Sequence, residues 1–195
     1  MNLPNKLTVF RIILIPVFMI ILALPTALWG TLQVGATELP VTHLVAAIVF
    51  IVASLTDTAD GQIARRYKLV TNFGKFADPL ADKLLVMTAL IFFVQFGWIP
   101  AWMIAIIVIR ELAITGLRTL IVENNGKVLA AAMPGKIKTT SQMVAIIFFL
   151  LHDIFFADIN VPFANIMIWI ALIFTVYSGI DYFIKNRAVF ADGFK

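Results

Sequence analysis

The sequence predicts an all-α membrane protein, a six-helix transmembrane bundle forming one integral membrane domain over residues 1–195. Three observations predict it. Hydrophobic residues make up 62% of the chain and charged residues 13%, whereas soluble domains are about half apolar and a quarter charged. Apolar stretches recur near 8–28, 41–63, 73–96, 100–122, 137–157 and 161–184, each close to the ~20 residues that a bilayer crossing requires. The basic residues also fall on alternate connections, as six crossings demand.

The first span carries Lys6 and Arg11 ahead of an apolar run from Ile12 to Leu24, followed by Pro25-Thr26-Ala27. A secretory leader shares this layout. Against it, Arg11 lies deep in the segment, and Asn2-Leu3-Pro4-Asn5 fits a short N-terminal surface helix. Pro40 precedes the second span, Thr71-Asn72 caps the third, Gly97 and Pro100 flank a tight turn, and Pro134-Gly135 opens the fifth.

If the spans alternate, Lys6, Arg11, Arg65, Arg66, Lys68, Lys75, Lys127, Lys136, Lys138, Lys185, Arg187 and Lys195 share one face. The opposite loops hold only Glu38 and Asp158, which sets both termini and the basic loops in the cytoplasm. Basic residues spread in this way, without interleaved aromatic platforms, argue against nucleic acid as a partner. The chain has no cysteine, which excludes disulfides, thiolate metal ligands and thiol nucleophiles.

Four acidic residues, Asp57, Asp60, Asp78 and Asp82, fall within 26 positions at the cytoplasmic ends of the second and third spans. Spacings of three and four set each pair on one helix face. One carboxylate at membrane depth costs on the order of 3 kcal/mol, and converging ones repel, so a positive partner is required. Oxygen ligands without cysteine or nearby histidine favour Mg²⁺, Mn²⁺ or Ca²⁺ over zinc, and four carboxylates suit two ions. Ala59, Gly61, Ala64 and Gly74 leave room for a ligand to approach the backbone. Pro79, just after Asp78, removes a helix hydrogen bond and can kink the third span at its start.

The run Asp57-x-x-Asp60-Gly61-x-x-Ala64-Arg65, eight residues, Gly74-x-x-x-Asp78-x-x-x-Asp82 resembles the signature of the CDP-alcohol phosphatidyltransferases. The resemblance implies a divalent-metal-dependent enzyme that releases CMP as a hydroxyl attacks a CDP-linked phosphorus. By position, Asp57, Asp60, Asp78 and Asp82 would hold two Mg²⁺ or Mn²⁺ ions, with Asp82 also the catalytic base. Gly61, Ala64, Arg65 and Gly74 would bind the nucleotide of the CDP-lipid. The family also implies a homodimer.

A second set of cations, Arg110, Arg118, Lys136 and Lys138, suits a phosphate carried by the acceptor. Arg110 interrupts an apolar run, and Glu111 next to it is expected to point to a different face. Together with Asn2-Leu3-Pro4-Asn5-x-Leu7-Thr8-x-x-Arg11 and Gly135-Lys136-x-Lys138-Thr139, the stretch Arg110 to Arg118 looks like the bacterial glycerol-3-phosphate branch of the family. That likeness implies transfer of the phosphatidyl group of CDP-diacylglycerol to sn-glycerol 3-phosphate, in a multi-pass plasma-membrane enzyme whose active site faces the cytoplasm. The alternatives are a sibling enzyme using inositol phosphate, serine or phosphatidylglycerol, and a cation or proton-coupled transporter.

His43 and His152 fall near the outer face and receive no metal or proton-transfer role. Trp29, Trp98, Trp102 and Trp169 suit interfacial or packing positions.

Overall fold

The structure is a computed structural model. It describes residues 2–35, 37–66, 72–123, 133–187 and 189, with residues 3, 4, 57–66, 72, 73, 75, 76, 79 and 123 described by backbone alone. Its helices are α1 (Leu3–Ala23), α2 (Val41–Arg66), α3 (Asn72–Gln95), α4 (Ala101–Glu123), α5 (Met133–Leu150) and α6 (Phe163–Lys185). Strands β1 (Thr31–Val34) and β2 (Thr37–Pro40) lie between α1 and α2, and a 3-10 turn spans Ala157–Ile159. Each expected span overlaps one helix.

By length and composition, Asn5–Ala23 and Phe163–Lys185 can cross a bilayer, and Val41–Thr56 is a shorter apolar stretch. The other helices carry charge within them: Asp78, Asp82 and Lys83 in α3, Arg110, Glu111 and Arg118 in α4, and Lys136 and Lys138 in α5. Helix α1 packs on α2 and α3, and α5 packs on α6. Small residues let helix backbones approach closely, and Ala46, Ala47, Ala53, Ala89, Ala145 and Ala171 are buried where the helices meet. Phe18, Phe50, Leu85, Phe93, Ile146 and Ile168 fill the remaining core.

The all-α expectation overlooks the hairpin. Thr31 pairs with Pro40 and Val34 with Thr37, and Gly35 makes the turn at φ +59. β-branched residues beside a glycine favour such a ribbon, but four-residue strands leave little periodicity to read. Leu39 is buried against the bundle. A Cβ on Gly35 would lie 2.8 Å from the Asp158 carboxylate, so the turn is seated on the α5–α6 connection.

Two helix ends also differ from expectation. No separate N-terminal surface helix forms, because α1 begins at Leu3 and runs unbroken through Pro16. The Asn2 side chain caps it, accepting a hydrogen bond from the Asn5 N–H at 3.2 Å. Helix α5 stops at Leu150, seven residues short of the expected 157. His152 and Asp153 take φ values of 53° and 52°, and the Asp153 N–H returns to the Phe148 carbonyl at 2.9 Å. This closing geometry usually falls to glycine, which is why the sequence hides it. Asp153 Oδ1 in turn accepts from the Ala164 N–H at 2.8 Å, capping α6 across the turn.

Arg11, deep in the first expected span, is fully buried inside the bundle, and its Nε donates to the Ala53 carbonyl at 3.2 Å.

Candidate active site

Asp78 and Asp82 lie one turn apart on α3, both partly buried. The Thr8 hydroxyl, from α1, donates to Oδ1 of Asp78. Gly74, one turn earlier on α3, is buried. Asp57, Asp60, Gly61, Ala64 and Arg65 lie on the last three turns of α2, and their side chains fall outside the described ones. Among the described residues no three acidic or histidine side chains converge.

A small cleft opens beside Asp82, lined also by Lys83, Glu111, Lys138, Thr139 and Gln142. Helices α3, α4 and α5 thus contribute one wall each. Lys83 donates to the Thr115 hydroxyl, tying α3 to α4. Lys138 has a side chain only 8% exposed, and its Nζ lies 2.5 Å from Oε1 of Glu111. The same carboxylate oxygen accepts from Nη1 of Arg110 at 2.7 Å.

That second contact corrects the expectation that Glu111 faces away from Arg110. Neighbours on a helix start about 100° apart, but the long arginine side chain curls back to close the gap. Its Nη2 donates to the Ser178 hydroxyl of α6 at 2.9 Å. A Cβ on Gly179 would stand 3.1 Å from Arg110 Cγ, so the glycine leaves the passage open. Arg110 lies between the polar cleft and an apolar groove between α4 and α6, where it lines the groove and not the cleft.

The other predicted cations are more peripheral. Arg118 is exposed and sits 5.5 Å above the Tyr182 ring, a cation–π arrangement. Lys136 is exposed at the start of α5. The structure therefore sets Asp82 and Lys138 on the walls of one cleft, holds Arg110 one contact behind, and leaves Arg118 and Lys136 exposed.

Sequence reasoning missed Glu111, Lys83 and Gln142, and missed the link from Thr8 to Asp78. Glu111 had a signal: one acid beside one base inside an apolar helix is better explained by pairing than by separate roles. Thr8, seventy positions from its partner, had none.

The histidines lie at the opposite end. His43 Nδ1 is 2.8 Å from His152 Nε2, and both rings pack edge-on to Trp98. Phe93, Phe96 and Phe149 complete this aromatic cluster. Burial holds the His152 imidazole below its ordinary pKa and lifts that of the Asp153 carboxyl. Trp102 and Trp169 pair their rings at 5.9 Å.

The described residues form a helical bundle with acidic residues at one end of α2 and α3 and a buried lysine on the wall of the cleft beside Asp82. The model of the CDP-alcohol phosphatidyltransferase family matches residues 1–177, and the chain belongs to that family. It is 56% identical to the CDP-diacylglycerol–glycerol-3-phosphate 3-phosphatidyltransferase of Bacillus subtilis, over 95% of both chains. It is also 35% identical to the enzyme of the same name from Escherichia coli, over 98% of both chains. A probable phosphatidylglycerophosphate synthase of Mycobacterium tuberculosis shares 36% identity over 93% of this chain and 79% of its own.

Proposed function

We propose that the chain transfers the phosphatidyl group of CDP-diacylglycerol to sn-glycerol 3-phosphate, giving phosphatidylglycerophosphate and CMP. The likeness to bacterial enzymes named for this reaction supports the reading. The observation that carries it is the meeting of Asp82 and Lys138 on the walls of one cleft. In this reading Asp82 would be the base for the hydroxyl and Lys138 a cation for the phosphate of one small acceptor.

In this reading the primary hydroxyl oxygen of glycerol 3-phosphate bonds to the lipid-linked phosphorus. The phosphoanhydride bond to CMP breaks, and Asp82 takes the hydroxyl proton. Lys138 attracts the acceptor phosphate, with Arg110, Arg118 and Lys136 adding positive charge around it. Gly61, Ala64, Arg65 and Gly74 would receive the nucleotide.

Asp57, Asp60, Asp78 and Asp82 would hold two Mg²⁺ or Mn²⁺ ions. The described members fit such ions: Asp78 and Asp82 offer hard oxygen donors one turn apart, and Thr8 leaves the second oxygen of Asp78 available by this contact. Bound there, the ions would neutralise the diphosphate and stabilise the leaving oxygen. All six helices would cross the plasma membrane, with the aspartate end and both termini in the cytoplasm and the protein paired as a homodimer. The one-sided distribution of basic residues supports that orientation.

Purified protein should release CMP from CDP-diacylglycerol when given glycerol 3-phosphate and Mg²⁺ or Mn²⁺, and should stop when the ions are chelated. Inositol phosphate, serine and phosphatidylglycerol should support little release. Preference for one of these would transfer the assignment to a sibling enzyme. Ion flux in liposomes without CDP-lipid, and no CMP, would favour a transporter.

A further inference from the structure

Glu111 does not belong to the residues that the proposed reaction uses, yet it occupies the centre of the polar network beside Asp82. A single oxygen, Oε1, receives Lys138 Nζ at 2.5 Å and Arg110 Nη1 at 2.7 Å. Arg110 is fixed in turn by Ser178 on α6 and by the missing Cβ of Gly179. The contacts run in one direction, from Ser178 to Arg110 to Glu111 to Lys138, and only the last two members line the cleft.

The two cations are therefore not equivalent. Lysine is a point charge on a flexible four-carbon stem, and by itself it does not define a position. Arginine has a planar fork that can bond two partners in fixed directions. Here the fork holds the carboxylate, and the carboxylate holds the lysine. Arg110 and Lys138 share the Glu111 carboxylate, and Asp82 lines the same cleft as Lys138. Removal of the Glu111 carboxylate would take from the buried lysine and the partly buried arginine the group that ties them together.

We infer that Glu111 is a positioning residue that fixes the Lys138 ammonium beside Asp82 for the acceptor phosphate, with Arg110 acting through Glu111 instead of touching the phosphate. This rests on the proposed use of a phosphorylated acceptor.

A double-mutant cycle tests it in the purified full-length enzyme, with KM for glycerol 3-phosphate and for CDP-diacylglycerol measured separately. Glu111→Gln should raise the acceptor KM about tenfold or more and leave the CDP-diacylglycerol KM within about twofold. Arg110→Gln should show the same selectivity, more weakly. The double variant should be no worse than Glu111→Gln alone, because Arg110 has nothing left to act on.

Independent effects that multiply would instead mean that Arg110 binds the phosphate directly, and would overturn the inference. So would equal rises in both KM values, the signature of a merely structural tie between α4 and α5. A lower acceptor KM in Glu111→Gln would also overturn it, by making Glu111 a competitor for the cations. If Glu111→Gln fails to fold, Arg110→Gln carries the test, and an unchanged acceptor KM there counts against the inference. A wild-type enzyme that releases CMP only with an unphosphorylated acceptor removes the underlying reading as well, so the two failures are told apart.

Discussion

The hydroxyl of Thr8 donates to Oδ1 of Asp78, joining α1 to α3 across seventy positions of sequence. A hydrogen bond to a carboxylate is stronger than one between neutral groups and fixes the direction of the acid. It also couples the start of the chain to the acidic end of the bundle, close to where Arg11 binds the Ala53 carbonyl.

Thr8→Val should therefore lower kcat about tenfold, an effect worth about 1.4 kcal/mol in the transition state. Thr8→Ser should recover most of it by restoring the hydroxyl. Steady-state rates of CMP release check this, and a valine variant with the wild-type rate would refute the coupling.

Asp82→Asn should abolish turnover, because an amide cannot accept the acceptor's proton. The variant should still insert into membranes and elute as a single species in detergent. Retention of a near-normal rate would remove Asp82 from the role of base.

Gly97 ends α3 at φ +75, with its N–H on the Val94 carbonyl at 3.0 Å and the Trp98 N–H on that of Phe93 at 2.9 Å. A β-branched side chain is strained in this left-handed conformation, by about 1–2 kcal/mol. Gly97→Val should lower the melting temperature of the detergent-solubilised protein while leaving KM values unchanged at moderate temperature. The same melting temperature as wild type would contradict the strain.

Burial depresses the pKa of His152 in the folded protein relative to the unfolded chain. Below the ordinary value of 6.5 the unfolded chain takes up this proton more readily, so the contribution of His152 is present above pH 6.5 and is lost as pH falls. Asp153, raised by burial, has the opposite sign, but its ordinary value of 3.8 places its effect in a more acidic range. Thermal melts between pH 7.5 and 5.5 should show a decline that His152→Phe flattens. Equal slopes in both proteins would sink the assignment.

Much of this architecture was legible in the sequence because long apolar runs stand out in a chain with so few charges. Long apolar runs located all six helices, and spacings of three and four made the aspartates conspicuous among few acids. What escaped notice depended on tertiary partners. The hairpin has strands of only four residues, and the end of α5 is turned by His152 and Asp153 where a glycine would have been the clue. Arg11 reads as a cation deep in the first span, but its partner, the Ala53 carbonyl, leaves no mark in the sequence. The pairing of Arg110 with Glu111 contradicted a rule about helix faces that holds for short side chains and fails for a long one.

Phe93, Trp98 and Phe149 pack ring against ring at the end of the bundle remote from Asp82. On the proposed reaction both the lipid nucleotide and CMP would be held at the acidic end, so that free CMP should compete with CDP-diacylglycerol.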